Sequence, residues 1–149
     1  MISATIRLAN AAGMNRQFVA TSGSGHYLLI DDAAGNTGAR PIELVAIALA
    51  GCTAFDVINI MRKKRQHVTD YQVRIEAEQT PNPPQVFTEV SIHHILTGTD
   101  IAIKAVEDAI HLSEEKYCSV GAMLQKTAEI HSTFEILPTN VEELAGTLS

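Results

Sequence analysis

A chain of 149 residues, 46% of them hydrophobic, has the size and the apolar content of one domain with its own core, and a single domain over 1–149 is expected. A net charge of −6, no tryptophan and 5% aromatic residues exclude the basic face with stacking aromatics that a nucleic acid selects. The opening Met1-Ile2-Ser3-Ala4-Thr5-Ile6-Arg7 has neither the apolar core nor the cleavage pattern of a signal peptide, so a cytoplasmic protein with reduced thiols is expected.

Taken in order, Ile2, Thr5-Ile6 and Leu8 open a first strand, and Gly13 to Gln17 form a turn. Phe18-Val19-Ala20 leads into the hairpin turn Ser22-Gly23-Ser24-Gly25, and His26 to Ile30 return as a strand. Asp31 to Gly38, dense in turn formers, make a surface loop. Pro41 then stands where proline is favoured, in the first turn of a helix. From Ile42 to Cys52 the only charge is Glu43, and the run closes on Arg62-Lys63-Lys64-Arg65. Because apolar residues surround its whole circumference, this helix is expected to be buried on all sides. Asp56 and Asn59 make it too polar for a membrane span, and the basic run suits the negative end of the helix dipole.

Tyr71 to Glu78 alternate apolar and polar residues without a break, the period of a strand with one wet face. Pro81, Pro83 and Pro84 cannot donate to a ladder, so Thr80 to Pro84 connect this strand to an antiparallel partner over Val86 to Leu96. Asp100 is expected to cap a helix with Ala102, Ala105, Val106, Ala109 and Ile110 on one narrow stripe. A short helix starting near Cys118 carries Val120, Met123, Leu124 and Thr127, and a last strand puts Ile130, Phe134 and Ile136 on one face before Pro138. Asn140 to Glu143 are expected to cap a terminal helix. The pattern is α+β, with antiparallel sheets around a long central helix. A sheet covers only one side of that helix, so a dimer that buries two such helices together is expected.

The two cysteines, Cys52 and Cys118, are 66 residues apart. That spacing excludes a CxxC redox pair and a zinc knuckle, so any joint role has to come from the fold. A lone cysteine in an apolar helix is more often a small packing hydrophobe. Cys118, at the start of a helix, has the exposed N–H groups that favour a thiolate.

The motifs Pro41-Ile42-Glu43-Leu44 running into Ala50-Gly51-Cys52, and Tyr117-Cys118-Ser119-Val120, resemble those of the OsmC-like proteins, which include osmotically induced protein C and the organic hydroperoxide resistance proteins. The likeness runs from about Ser22 to Ile136 and is nearest a less characterised branch. It implies an intertwined homodimer and, in an oxidative stress response, a peroxidase of peroxiredoxin type. Cys52 would attack a small hydrophobic peroxide, Cys118 would resolve the sulfenic acid, and a dithiol reductant would restore both. Neither a cofactor nor a metal is implied.

In the hydroperoxide resistance branch an N-terminal arginine activates the thiol, and alignment on the Ser24-Gly25 turn puts Arg16 there, ahead of Arg40 and Lys116. The glutamate that holds this arginine directly follows the proline. Here Ile42 takes that place and Glu43 comes one later, about 100° around the helix. Asp56, one turn after Cys52 on the same face, also departs from the pattern, since its charge opposes a thiolate. The rival expectation is a non-catalytic dimer that binds a small molecule in the same apolar crevice and keeps both cysteines as packing.

Other signals are weaker. His93-His94 alternate across a strand and cannot chelate one ion together, so both are expected to be solvated. His26, His67, His111 and His131 lack ligand spacing, and the Ser22–Gly25 turn has no GK[ST] to make it a phosphate loop.

Overall fold

The structure, a computed structural model, describes residues 1–9 and 16–139. Most of the Gly13 to Gln17 turn and the Asn140 to Glu143 helix therefore lie outside the described residues. The chain divides into two compact units, Met1–Val45 and Ala46–Ser149.

In the first unit, β1 (Ala4–Leu8), β2 (Phe18–Ser22) and β3 (Tyr27–Ile30) form an antiparallel sheet in the order β1-β2-β3. The Ser22–Gly25 turn joins β2 to β3, and Gly25 adopts a φ of 88°, a left-handed conformation open to glycine at no steric cost. Asp31 is buried because it organises the following loop. Its carboxylate accepts from the Asp32 N–H (2.7 Å), the Thr37 N–H (3.1 Å) and the Thr37 hydroxyl.

Helix α1 (Pro41–Lys63) starts in the first unit and runs into the second. Its first turn is closed by Glu43, whose carboxylate accepts from the Arg40 backbone N–H at 2.8 Å. This is the return arm of a capping box. Along the helix the buried residues are Leu49, Thr53, Val57, Ile60 and Met61, one stripe at helical spacing. Ile47 and Phe55 are 59% and 78% exposed, so within one chain α1 is buried on one side and not all round. By length and composition alone it could cross a membrane, with a mean hydropathy of 2.0. The buried stripe, however, packs into the protein's own core.

In the second unit, β4 (His67–Gln79) and β5 (Phe87–Thr99) form a long antiparallel pair, four residues longer at the start of β4 than the alternation predicts. Thr80 to Pro84 make the connection, as the prolines require. β6 (Glu129–Pro138) adds to β5 in parallel, giving the order β4-β5-β6. An antiparallel partner is expected here, and among the named strand pairs of the described residues this one is parallel. The long helical connection over residues 100–128 allows it, since a parallel neighbour needs a connection of a dozen residues or more. Helix α2 (Ile103–Leu112) lays Ala105, Val106, Ala109 and Ile110 against Val57, Ile60 and Met61 of α1 and Leu96 of β5. These residues form the main core.

Two expectations are corrected here. Asp100 does not cap α2. It sits at a φ of 50° in the turn before the helix, and the cap position is Ala102, whose N–H donates to the Gln66 side chain at 2.8 Å. His94 is not solvated: it is fully buried on the central strand, with Nδ1 2.7 Å from the Tyr71 hydroxyl and the two rings stacked at 6.0 Å. His93, on the opposite face, meets Thr133 and Glu135 instead.

Candidate active site

Cys52 and Asp56 are one turn apart on α1, so their side chains leave the same helix face. Cys118 comes to them from the far end of the second unit. After α2 the backbone widens into a π-turn, α3 (Ser113–Tyr117), in which the Cys118 N–H donates to the Ser113 carbonyl at 2.8 Å. Such a wide turn re-aims the chain by one residue and recurs at functional sites. Cys118 is then the cap residue of α4 (Ser119–Leu124), and the Gly121 N–H donates to its Sγ at 3.3 Å. A Cβ at position 121 would stand 3.2 Å from that sulfur, which is why the tight approach uses glycine.

The result is a three-group cluster. The Cys52 and Cys118 sulfurs and an Asp56 carboxylate oxygen all lie within 4.8 Å of one another. Cys118 is buried, whereas Cys52 and Asp56 are half-buried. Ser113, fully buried, donates its hydroxyl to Asp56 Oδ2 at 2.9 Å and lies 3.2 Å from the Thr53 hydroxyl. Burial pushes the Cys118 thiol up to about 12, and its contact with Cys52 and the Asp56 charge act in the same direction against the Gly121 N–H. At neutral pH Cys118 is therefore a thiol.

Room at the site is uneven. The cavity beside Cys118, lined by Leu49, Ile92 and Ile130 among others, measures about 10 Å³, the space of about one water. A groove of about 330 Å³ opens on the other side of Asp56, between Asn59, Lys63, Lys64 and Tyr117. Solvent thus has a path to Asp56, and almost none to Cys118.

The remaining predicted site residues belong to the first unit. Arg16 donates from Nε to Asp32 Oδ2 at 2.9 Å. Glu43 pairs with the Arg40 guanidinium at 3.0 Å, and this contact, with the Arg40 N–H, holds its carboxyl below the usual range. Glu43 thus clamps an arginine as well as closing the helix, and that arginine is Arg40. Both Arg16 and Arg40 line one cavity of about 400 Å³ with Phe18, Ile30 and Pro41. Lys116 lies over its neighbour Tyr117, 5.4 Å from the ring centre.

Sequence reasoning missed Thr53 and Ser113. Their signal was present, since Thr53 interrupts the apolar stripe Leu49, Val57, Ile60 on α1 and a polar group on a buried face requires a partner.

Comparison with known proteins places this geometry in context. The family model described as OsmC-like protein matches residues 34–133, which include Cys52, Asp56 and Cys118. Protein YhfA of Escherichia coli K12 is 41% identical over 120 residues, covering 80% of this chain and 90% of that protein. Among solved structures, a hypothetical protein from Aquifex aeolicus is similar with a TM-score of 0.82 at 26% identity, covering 94% of this chain and 98% of that one. An organic hydroperoxide resistance protein OsmC from Legionella pneumophila shares the fold, with a TM-score of 0.67 at 13% identity over 91% and 96% of the two chains.

Proposed function

The chain belongs to the OsmC-like family, and from that premise we propose that it is a cysteine peroxidase acting on organic hydroperoxides. The observation that carries the reading is the approach of the two sulfurs to within 4.8 Å across 66 residues of sequence, which packing alone does not require. The name of the Legionella relative, an organic hydroperoxide resistance protein, points to the same substrate class.

In this reading Cys52, the more accessible sulfur, attacks the distal peroxide oxygen as its thiolate. The O–O bond breaks, Cys52 keeps the distal OH as a sulfenic acid, and the alkoxide leaves as alcohol by taking up the proton that the Cys52 thiol released to solvent on ionising. Cys118 then attacks the Cys52 sulfur. An S–S bond forms, the S–O bond breaks, and the hydroxide departs with the Cys118 proton as water. A dithiol reductant returns both cysteines to thiols by exchange. The high proton affinity of Cys118 suits the second step and not the first, because a nucleophile has to be ionised before the peroxide arrives. Arg16, with Arg40 held by Glu43 in the same cavity, supplies the activating cation from the partner of a homodimer. The protein works in the cytoplasm, where its thiols are kept reduced, without nucleic acid, membrane or cofactor.

The test is a titration of reduced protein with cumene hydroperoxide. One equivalent per chain is expected to consume both thiols and to lower the intact mass by two hydrogens. Cys52→Ser is expected to consume none, and Cys118→Ser to leave a sulfenic acid that dimedone traps. If wild-type protein keeps both thiols under excess hydroperoxide, the peroxidase reading fails and a small-molecule-binding dimer with packing cysteines takes its place.

A further inference from the structure

We propose that Cys52, Cys118 and Asp56 also form a binding site for a soft divalent cation, with zinc as the reference ion. This inference is independent of the peroxidase reading, because it needs only the reduced thiols. The local spacing of the cysteines gives no hint of it, and the fold alone brings the three groups together.

The donor set matches the ion. Zinc takes thiolate sulfur at about 2.3 Å and carboxylate oxygen at about 2.0–2.2 Å in tetrahedral sites, so the sulfurs around it stand about 3.8 Å apart. Ligand atoms already within 4.8 Å of one another reach that spacing by small side-chain rotations. Two sulfurs select against the hard cations calcium and magnesium, which take oxygen ligands. Among the described residues this is the one such group of metal-capable side chains.

The surroundings also suit a bound ion. Cys52 and Asp56 are fixed one turn apart on a single helix, and Cys118 is anchored by its own cap geometry and the Gly121 N–H. Ser113 donates to Asp56 Oδ2, which orients the carboxylate and leaves its other oxygen for the ion; such outer hydrogen bonds tune ligand orientation at metal sites. The groove beside Asp56 gives the ion a way in and leaves the fourth position to water. On binding, two S–metal bonds and one O–metal bond form, and each ligand thiol that carries a proton gives it up to solvent. Disulfide formation removes both sulfur ligands, so metal and peroxide compete for the same reduced state.

The experiment uses the full chain, reduced and freed of metal with a chelator, titrated with Cd²⁺ and Zn²⁺. Expected are one ion per chain, a thiolate-to-cadmium absorption band, and protons released on binding. Cys52→Ser and Cys118→Ser should each halve the band, and Asp56→Asn should keep the band while weakening affinity at least tenfold. Absence of the band, or affinity unchanged in Asp56→Asn, overturns the site. Should a variant fail to fold, the ¹¹³Cd resonance of the wild-type complex decides alone: a shift typical of two sulfurs with oxygen supports the proposal, and one typical of four sulfurs or of oxygen only overturns it. Failure here leaves the hydroperoxide titration unaffected, and failure there leaves this site standing.

Discussion

Ser113 joins the two segments that carry the site. Its buried hydroxyl satisfies Asp56 and lies beside Thr53, so it ties the π-turn to the middle of α1. Removing it leaves a partly buried carboxylate and a buried hydroxyl short of a partner. A hydrogen bond to a charged group contributes about 1.5–3 kcal/mol. Ser113→Ala is therefore expected to lower unfolding free energy by about 2 kcal/mol, read from urea denaturation with an unchanged m-value. Asp56 has the opposite sign of effect on chemistry: its charge helps to hold the Cys118 proton on. In a Cys52→Ser background, Asp56→Asn is expected to move alkylation of Cys118 to lower pH, followed as the rate of iodoacetamide labelling against pH in the metal-free protein. An unmoved or upward-shifted profile would contradict the assigned cause. Asp56 and the break that Thr53 makes in the apolar stripe are legible in the sequence, but their pairing with Ser113 is not. The pairing depends on a π-turn, and a single i→i+5 turn has no signature in hydrophobic period.

At the level of elements, what was legible is what has a period. β4 and β6 alternate wet and half-buried residues as their sequences do, and Pro41 opens α1. Three features escaped because they are decided by tertiary contact. Asp100 looks like a cap, but the turn needs a left-handed residue there, and Gly98 is pressed against the His67 carbonyl, which a Cβ would overlap. β6 looks like any strand, and the long crossover before it allows it to be parallel. His94 looks like a solvated neighbour of His93, yet β5 is the central strand and its inner face is covered by the core. Burial, with the His93 charge second, lowers the His94 pKa to about 4 from its ordinary 6.5. His94 Nε2 is buried with no hydrogen-bond partner among the described residues. The folded-state pKa lies below the unfolded one, so between these values the unfolded chain binds the extra proton. Stability from this residue is then complete above about pH 6.5 and falls as pH drops toward about 4. At about 1.4 kcal/mol per pKa unit the loss amounts to about 3 kcal/mol. Urea midpoints measured from pH 7 to pH 4 should show this slope, and His94→Leu should flatten it. An equal slope in the variant would assign the acid sensitivity elsewhere.

For the whole molecule the question is what covers the apolar surface that one chain leaves open. In the first unit, among the described residues, only Ala20 and Asp31 are buried, while Ile6, Leu8, Tyr27 and Leu28 are exposed. A three-stranded sheet needs a packed face to be stable, and the described residues of this unit supply almost none of their own. On α1, Ile47 and Phe55 project from the side opposite the buried stripe. Two large apolar side chains left in water forgo about 1.5–3 kcal/mol each, and exposed patches of this kind mark interfaces. The all-round apolar character of α1, which the single chain uses on one side only, thus acquires a purpose if a second copy covers the rest. We propose that the protein is an obligate homodimer in which folding and association are one transition. Its urea midpoint is then expected to rise with protein concentration, since mass action couples the folded fraction to dimer formation. Phe55→Asp should shift the sedimentation of the remaining folded material toward the monomer and lower the midpoint, while Arg74→Ala, on the exposed face of β4, should change neither. A midpoint independent of concentration over a hundredfold range, together with a folded monomer at low micromolar protein, would mean that the second unit folds without a partner and that the open face of α1 is covered by something else.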